Sequence, residues 1–202
     1  MSKGKLFIVS GPSGSGKDTI LKEVLARNPN IFFSISSISR PMRQGEVEGE
    51  KYHFISKEEF KKLIDNDMLL EYNEFCGNYY GSPKAPVLAA INENRDVILE
   101  VDVNGAKLVR ELMPDSVSVF IMPPSYDELY RRLSGRGTET EDVIKERMNT
   151  ALSEIARADE YDFIIVNDVL SDAVEDLITI IRCNRLSLER QKNIIDEVLK
   201  NA

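Results

Sequence analysis

The chain has 202 residues, with 26 Lys plus Arg, 34 Asp plus Glu and one His, for a formal charge of −8 at pH 7. So acidic a surface is a poor general partner for a phosphate backbone, because non-specific nucleic-acid binding needs Lys and Arg to release condensed counterions. With 42% apolar residues the chain can bury a sizeable core, which excludes disorder and fits one domain with room for an inserted subdomain.

Short apolar runs alternate with helical patterns along the chain, the signature of strands joined by crossover helices around a mainly parallel sheet, so the expected fold class is α/β. The first strand runs from Lys5 to Ser10 and the first helix from about Lys17 to Arg27, and Phe32 to Ser36 reads as the next strand. Between Arg40 and Pro86 the texture changes, with Gly, Glu, Tyr and Asn crowding in and period-2 segments at Tyr52 to Ile55 and Leu69 to Phe75. This stretch, about residues 37–85, is read as an inserted, partly antiparallel subdomain in a core made of 1–36 and 86–202. Its helix begins at Ser56, where Ser56 and Glu59 form an S-x-x-E capping box, and Gly77-Asn78 marks a turn. Buried strands follow at Val97 to Val101, Val117 to Met122 and Phe163 to Val166. Helices start near Ser125 and Thr140, and between them Gly135 and Gly137 leave Arg136 free to swing. From Ser171 the pattern is helical to the end and reads as a packing helix with a solvated face.

No stretch approaches the roughly 18 consecutive apolar residues of a membrane span. The apolar run after Lys5 is too short for a signal-peptide core, so a cytoplasmic location is expected. Cys76 and Cys183 lack Cys-x-x-Cys spacing, which favours free thiols over a disulfide or a zinc site.

The strongest chemical signal is Gly11-Pro12-Ser13-Gly14-Ser15-Gly16-Lys17, which follows a strand and opens a helix, the context of a G-x-x-x-x-G-K phosphate loop. Its glycines let successive amides point inward, the helix N-terminus adds partial positive charge, and Lys17 reaches terminal phosphates. The pattern expects Ser or Thr after the lysine to hold Mg²⁺, but Asp18 stands there and Thr19 follows. Asp18 either joins the metal shell or faces away, while Thr19 offers a substitute hydroxyl within the first helical turn.

In the segment Ser34 to Phe54, Arg40 and Arg43 offer planar forks for a phosphate, and Ser36 and Tyr52 add neutral donors, so that the group reads as an anion site. The strand ending at Asp102 places a carboxylate where phosphate-loop enzymes keep a metal- or water-organising acid, with Glu100 as a weaker choice. An aspartate there also commonly caps the next helix, here near Asn104. His53 has no second His or suitable base partner in the sequence and reads as a solvent-facing strand residue.

Together these segments resemble the guanylate kinase family, whose members show S-x-S-x-T-T-R-x-x-R-x-G-E-x-x-G-x-x-Y-x-F where this chain has Ser34 to Phe54, with Ile38 and Ser39 replacing the paired threonines. The likeness runs from Lys5 to about Asp168. It implies a P-loop NTPase-type parallel core flanked by helices, an inserted nucleoside-monophosphate-binding subdomain and a short mobile lid at about residues 131–150. It also implies that Ser36, Arg40, Arg43 and Tyr52 bind the phosphate of GMP.

Glu71 with Phe75 to Ser82 resembles the guanine-recognition segment G-x-x-Y-G-(S/T). A carboxylate accepts both the N1–H and the N2 amino group of guanine, whereas the N1 lone pair of adenine repels it. Ser82 would add a hydroxyl to the base edge and Tyr80 another to the phosphate, and Asp102 matches an aspartate associated with the acceptor. Arg132, Arg136 and Arg147 resemble the family's lid pattern, in which the arginines converge as the lid folds down, and Asn167-Asp168 resembles a segment near the adenine of ATP.

The activity so implied, within purine nucleotide metabolism, is transfer of the γ-phosphoryl of magnesium-bound ATP to GMP, with dGMP as a further acceptor. Lys17, Arg40, Arg43, Arg136 and Arg147 would supply the charge neutralisation. Neither nucleic acid nor a membrane is an expected partner. A kinase for a different phosphorylated acceptor is opposed by Glu71, Tyr80 and Ser82. A phosphopeptide-binding interaction module of the same family is opposed by the phosphate loop with Lys17 and by Arg136.

Overall fold

Buried apolar runs such as residues 6–9, 97–99 and 119–121 form strands of a five-stranded sheet, and the 3.6-residue patterns between strands form its helices. The computed structural model describes residues 3–43, 45–135 and 140–200. In chain order the elements are β1 (Leu6–Ser10), α1 (Lys17–Arg27), β2 (Phe32–Phe33), β3 (Ser36–Ile38), β4 (Tyr52–Phe54), α2 (Lys57–Asp65), β5 (Leu69–Phe75), β6 (Asn78–Pro83) and α3 (Lys84–Asn92). There follow β7 (Val97–Glu100), α4 (Val103–Leu112), β8 (Val117–Met122), α5 (Tyr126–Ser134), α6 (Glu141–Ile155), β9 (Phe163–Val166), α7 (Leu170–Arg185) and α8 (Leu188–Lys200). The larger sheet has the order β2-β7-β1-β8-β9, with β2–β7 and β8–β9 parallel. None of the helices among the described residues is long and apolar enough to cross a membrane.

The chain divides into two compact units. One comprises Met1–Lys3, Val9–Pro29 and Val117–Ala202. Here α1 buries Ile20, Leu21 and Val24, and α7 buries Ala173, Val174, Leu177, Ile178 and Ile181. A second apolar cluster joins Leu129 and Leu133 of α5 to Met148 and Ala151 of α6, with Ile144 and Ile155 packed against it. At about 1.5 to 3 kcal/mol for each fully buried large aliphatic side chain, the cluster fixes the two helices on either side of residues 136–139.

The other unit comprises Gly4–Ile8 and Asn30–Ser116. It holds a four-stranded sheet of order β4-β3-β6-β5, in which β3–β4 is parallel while β3–β6 and β5–β6 are antiparallel. The capping box forms as the sequence indicates, with the Ser56 hydroxyl accepting from the Glu59 amide and the Glu59 carboxylate accepting from the Ser56 amide. The β5–β6 hairpin closes on Cys76 and Gly77, both left-handed with φ of 49° and 71°, the backbone that a two-residue hairpin loop uses.

Three expected elements differ. The strand Phe163 to Val166, expected to be buried, buries only Ile165 and exposes Phe163, Ile164 and Val166, because β9 lies at the edge of its sheet. The strand expected over Phe32 to Ser36 is divided: Phe32 and Phe33 pair with β7 in the larger sheet, whereas β3 starts at Ser36 in the smaller one. The Ser34 amide still donates to the carbonyl of Ile98 at 2.9 Å, the last rung before the chain changes sheets. One apolar run thus serves two sheets, which periodicity alone does not reveal. The C-terminal helix is likewise two, α7 and α8, separated at Leu186 and Ser187. Only α7 has the buried face expected of a packing helix, and α8 buries none of its residues.

Candidate active site

In the first unit, Gly11 to Gly16 link β1 to α1, and Lys17 is the first residue of that helix. Gly16 is the helix N-cap at φ 86°, a left-handed conformation costly for any residue with a Cβ. A Cβ there would also lie 2.2 Å from the Asn167 amide nitrogen. Asn167, 6% exposed, donates from Nδ2 to the Ser15 carbonyl at 2.7 Å. Arg132 donates to the same carbonyl from Nη1 at 3.2 Å and to the Asn167 carbonyl from Nη2 at 3.0 Å. Its Nε is paired with Glu128 at 2.7 Å, and Arg131 shares that carboxylate, holding the Glu128 carboxyl down to about 2. Asn167, just after β9, and Arg132, on α5, therefore brace the loop through the Ser15 carbonyl. Asp168 follows directly after Asn167 and is exposed.

The Nη2 of Arg147 donates to the Ser13 hydroxyl at 2.7 Å. Arg132 and Arg147 thus both reach the loop, from α5 and α6, the two helices that the apolar cluster joins. Arg136 lies outside the described residues. Pro12 and Ser15 are buried, while Asp18 and Thr19 are exposed in the first turn of α1.

In the second unit, strand register places Ser36, Tyr52, Glu71, Tyr80 and Ser82 on one face of the smaller sheet. Ser36 pairs with Tyr52, Ile38 with Tyr80, and Glu71 with Ser82. Directly paired residues share a face, as do residues two apart on a strand, and these pairs link all five. The other face carries Gly81, where a Cβ would meet Phe60 of α2 at 2.9 Å. Phe60 in turn stacks on Tyr79 with ring centroids 5.3 Å apart.

Arg40 follows β3, with its guanidinium carbon 5.6 Å from the Tyr52 ring centroid and 5.7 Å from that of Phe54. Its Nη1 and Nη2 donate to the two carboxylate oxygens of Glu46 at 2.7 and 2.6 Å. Glu46 also accepts from the Arg43 amide at 2.7 Å. These contacts hold the Glu46 carboxyl down to about 2 and push the guanidinium pKa up, Tyr80 adding a side-chain hydrogen bond to Arg40. The Arg43 side chain is exposed.

Glu71 is 9% exposed and accepts from the Ser82 hydroxyl at 2.6 Å. Burial pushes its carboxyl up to about 7, with the Asp102 charge adding to the rise and the Ser82 hydrogen bond opposing it. Asp102 is the N-cap of α4, its Oδ1 accepting from the amides of Asn104 at 2.9 Å and Gly105 at 2.7 Å. Its other oxygen accepts from Asn73 Nδ2 at 2.8 Å. The capping reading of Asp102 therefore holds, and a neighbouring carboxylate faces Glu71 as well. Glu100 lies 3.2 Å from Lys51 in an ion pair. His53 is exposed as expected, but its Nδ1 stands 2.8 Å from Glu48, a partner that sequence reading missed.

Sequence reasoning assigned no role to Glu46, Asn73, Gly105 or Glu128. Glu46 had a usable signal, an acid six residues after an arginine within one phosphate-binding segment. Asn73 and Gly105 act through distant pairings that no local pattern encodes.

A family model described as guanylate kinase matches residues 3–184. A guanylate kinase of Carboxydothermus hydrogenoformans is 48% identical over 190 residues, covering 94% of this chain and 93% of that protein. One from Neisseria meningitidis serogroup A is 45% identical over 200 residues, covering 99% and 98%. The crystal structure of guanylate kinase from Anaplasma phagocytophilum is similar with a TM-score of 0.78 at 31% identity, covering 94% of this chain and 90% of that one. With a family match over most of its length and relatives this similar, the chain belongs to the guanylate kinase family of phosphotransferases.

Proposed function

We propose that the chain transfers the γ-phosphoryl group of ATP to GMP, giving ADP and GDP. The observation that carries the choice of acceptor is Glu71, a nearly buried carboxylate on the register-defined face that also bears Ser36, Tyr52, Tyr80 and Ser82. Its two oxygens match the adjacent N1–H and N2 amino donors of guanine, and the lone pair at N1 of adenine would repel them. Arg40, Arg43, Tyr52 and Tyr80 are assigned to the acceptor phosphate, and Asp102 supports the base end.

Residues Gly11 to Lys17 are assigned to the donor phosphates, with Lys17, Arg136 and Arg147 neutralising charge that spreads over the transferring group. Arg132, Asn167 and Asp168 belong to the donor side, the first two as braces of the loop. No side chain forms a covalent intermediate, and the acceptor phosphate is already ionised, so no general base is required. Rate enhancement then comes from in-line positioning and charge neutralisation.

Asp18 and Thr19 fit Mg²⁺. Both offer hard oxygen donors, exposed in the first turn of α1 beside the loop. That limited set suits an ion that keeps its waters and binds through one or two protein oxygens plus substrate phosphates. Asp18 and Thr19 would hold the ion, which would supply neutralisation of the charge developing on the donor phosphates. The proposal includes a single core with an insertion at about 37–85 and a lid at about 131–150, and a cytoplasmic setting without nucleic-acid or membrane partners.

The test is a coupled assay offering GMP, dGMP, AMP, CMP and UMP with MgATP. GMP and dGMP are expected to turn over and the others to react poorly. AMP accepted as well as GMP would remove the base-reading role of Glu71, and no accepted nucleotide would favour a non-catalytic binding module.

A further inference from the structure

We infer that Gly105 is a positioning residue for guanine selectivity, because its lack of a side chain leaves room for the Glu71 carboxylate. The inference rests on the assignment of Glu71 as reader of the guanine base.

Gly105 is the third residue of α4, three after the Asp102 cap, and its amide donates to Asp102 at 2.7 Å. It is not among the residues with positive φ, so backbone conformation does not demand glycine there. In a helix with ordinary dihedrals, alanine is the better helix former. What the position requires is empty space. A Cβ at 105 would lie 2.9 Å from Glu71 Oε2, 3.2 Å from its Cδ and 3.3 Å from its Cγ. All three atoms belong to one side chain, so an added methyl would displace the Glu71 carboxylate and leave the backbone of α4 in place.

The carboxylate has little freedom to yield. It is nearly buried, and its other oxygen is held by Ser82 on the neighbouring strand at 2.6 Å. Gly105 therefore serves both acids, through its amide to Asp102 and through its missing Cβ to Glu71. The consequence is specific to guanine, whose N1–H and N2 amino donors need both oxygens of the carboxylate in register. Hypoxanthine offers N1–H alone and tolerates a displaced carboxylate better.

The experiment compares Gly105→Ala with the parent on GMP and IMP. Losing one charge-assisted hydrogen bond raises the KM for GMP about 10- to 100-fold. The kcat stays within about twofold, since ground-state and transition-state binding are lost equally. The KM for IMP changes little, and any fall in melting temperature is removed by Glu71→Asp, whose shorter side chain clears the added methyl. In a Glu71→Ala background the same substitution adds nothing to the KM for GMP.

An unchanged KM for GMP in Gly105→Ala, or an equal increment in both backgrounds, overturns the inference. A Gly105→Ala protein that folds poorly supports it if Glu71→Asp, with its shorter side chain, restores folding, and sinks it if not. Glu71→Ala alone tests the underlying assignment: a large rise in KM for GMP keeps it whatever Gly105 does, and no rise removes both.

Discussion

The carboxylate of Glu46 holds the guanidinium of Arg40 through two hydrogen bonds of 2.6 and 2.7 Å, the same fork that the proposed reaction presents to the acceptor phosphate. Because Glu46 also accepts from the Arg43 amide, it ties both arginines of the segment into one loop. Arg40 is thereby fixed against Tyr52 and Phe54, with its donors oriented by protein contacts.

Glu46→Gln keeps the shape of the side chain and removes its charge. The KM for GMP is expected to rise about tenfold, the scale of one charge-assisted hydrogen bond, with a smaller change in kcat. Steady-state kinetics at fixed saturating ATP reads this directly. A fall in KM would instead make Glu46 a competitor of the phosphate. The carboxyl is held near 2, so the clasp persists at neutral pH and loosens only as pH falls below the usual carboxylate range.

Glu71 carries the opposite pH signature. Burial pushes its carboxyl up to about 7, and reading guanine requires the ionised form. The kcat/KM for GMP is therefore expected to rise with pH to about 7 and level off above it, since this ratio reports groups of the free enzyme. The Glu71→Gln variant should be weakly active and lack that limb. For stability, the folded state keeps the proton to higher pH than the unfolded chain. Stability consequently declines as pH rises from 4.5 to about 7, by up to about 3 kcal/mol. Urea titrations at pH 4.5 and 8 should show that difference in the parent and not in Glu71→Gln.

Much of this was legible in the sequence where the physics is local. The glycine run ending at Lys17, the capping box at Ser56 and the period-2 strand Leu69–Phe75 lie where residue chemistry put them, because phosphate loops, caps and half-buried strands are specified by near neighbours. The division of Phe32 to Ser36 between two sheets was not legible, since partners from β7, β4 and β6 decide it. Nor was the burial of Glu71, which depends on Ser82 and on the empty space above Gly105. His53 and Glu48, five residues apart, are brought together by the parallel bridge Glu48–Tyr52, again a pairing and not a pattern.

The unusual residue after Lys17 gives a metal test. If Thr19 or water serves the ion, Asp18→Ser keeps activity and leaves the Mg²⁺ concentration for half-maximal rate within about twofold. If Asp18 is a ligand, the variant needs about tenfold or more Mg²⁺, as loss of a carboxylate from a sparse oxygen set would produce. Titrating Mg²⁺ at fixed ATP separates the two, and Thr19→Val in parallel assigns the hydroxyl.

Asn167 offers the sharpest separation between bracing and binding. Its Nδ2 and Arg132 Nη1 both donate to the Ser15 carbonyl, at 2.7 and 3.2 Å, and the left-handed Gly16 passes directly beneath the amide. Asn167→Ala removes the shorter of the two bonds and opens space beside the loop. Loss of a buried hydrogen bond of this kind costs about 1 to 3 kcal/mol. Because the loop is the proposed phosphate cradle, the KM for ATP should rise roughly tenfold while the KM for GMP stays near that of the parent. Asn167→Asp should be worse on both counts, since it sets a carboxylate against the Ser15 carbonyl. Were the melting temperature to fall with no change in the KM for ATP, Asn167 would be a structural brace alone, and the nucleotide contacts of the loop would have to be set by its own glycines and Lys17.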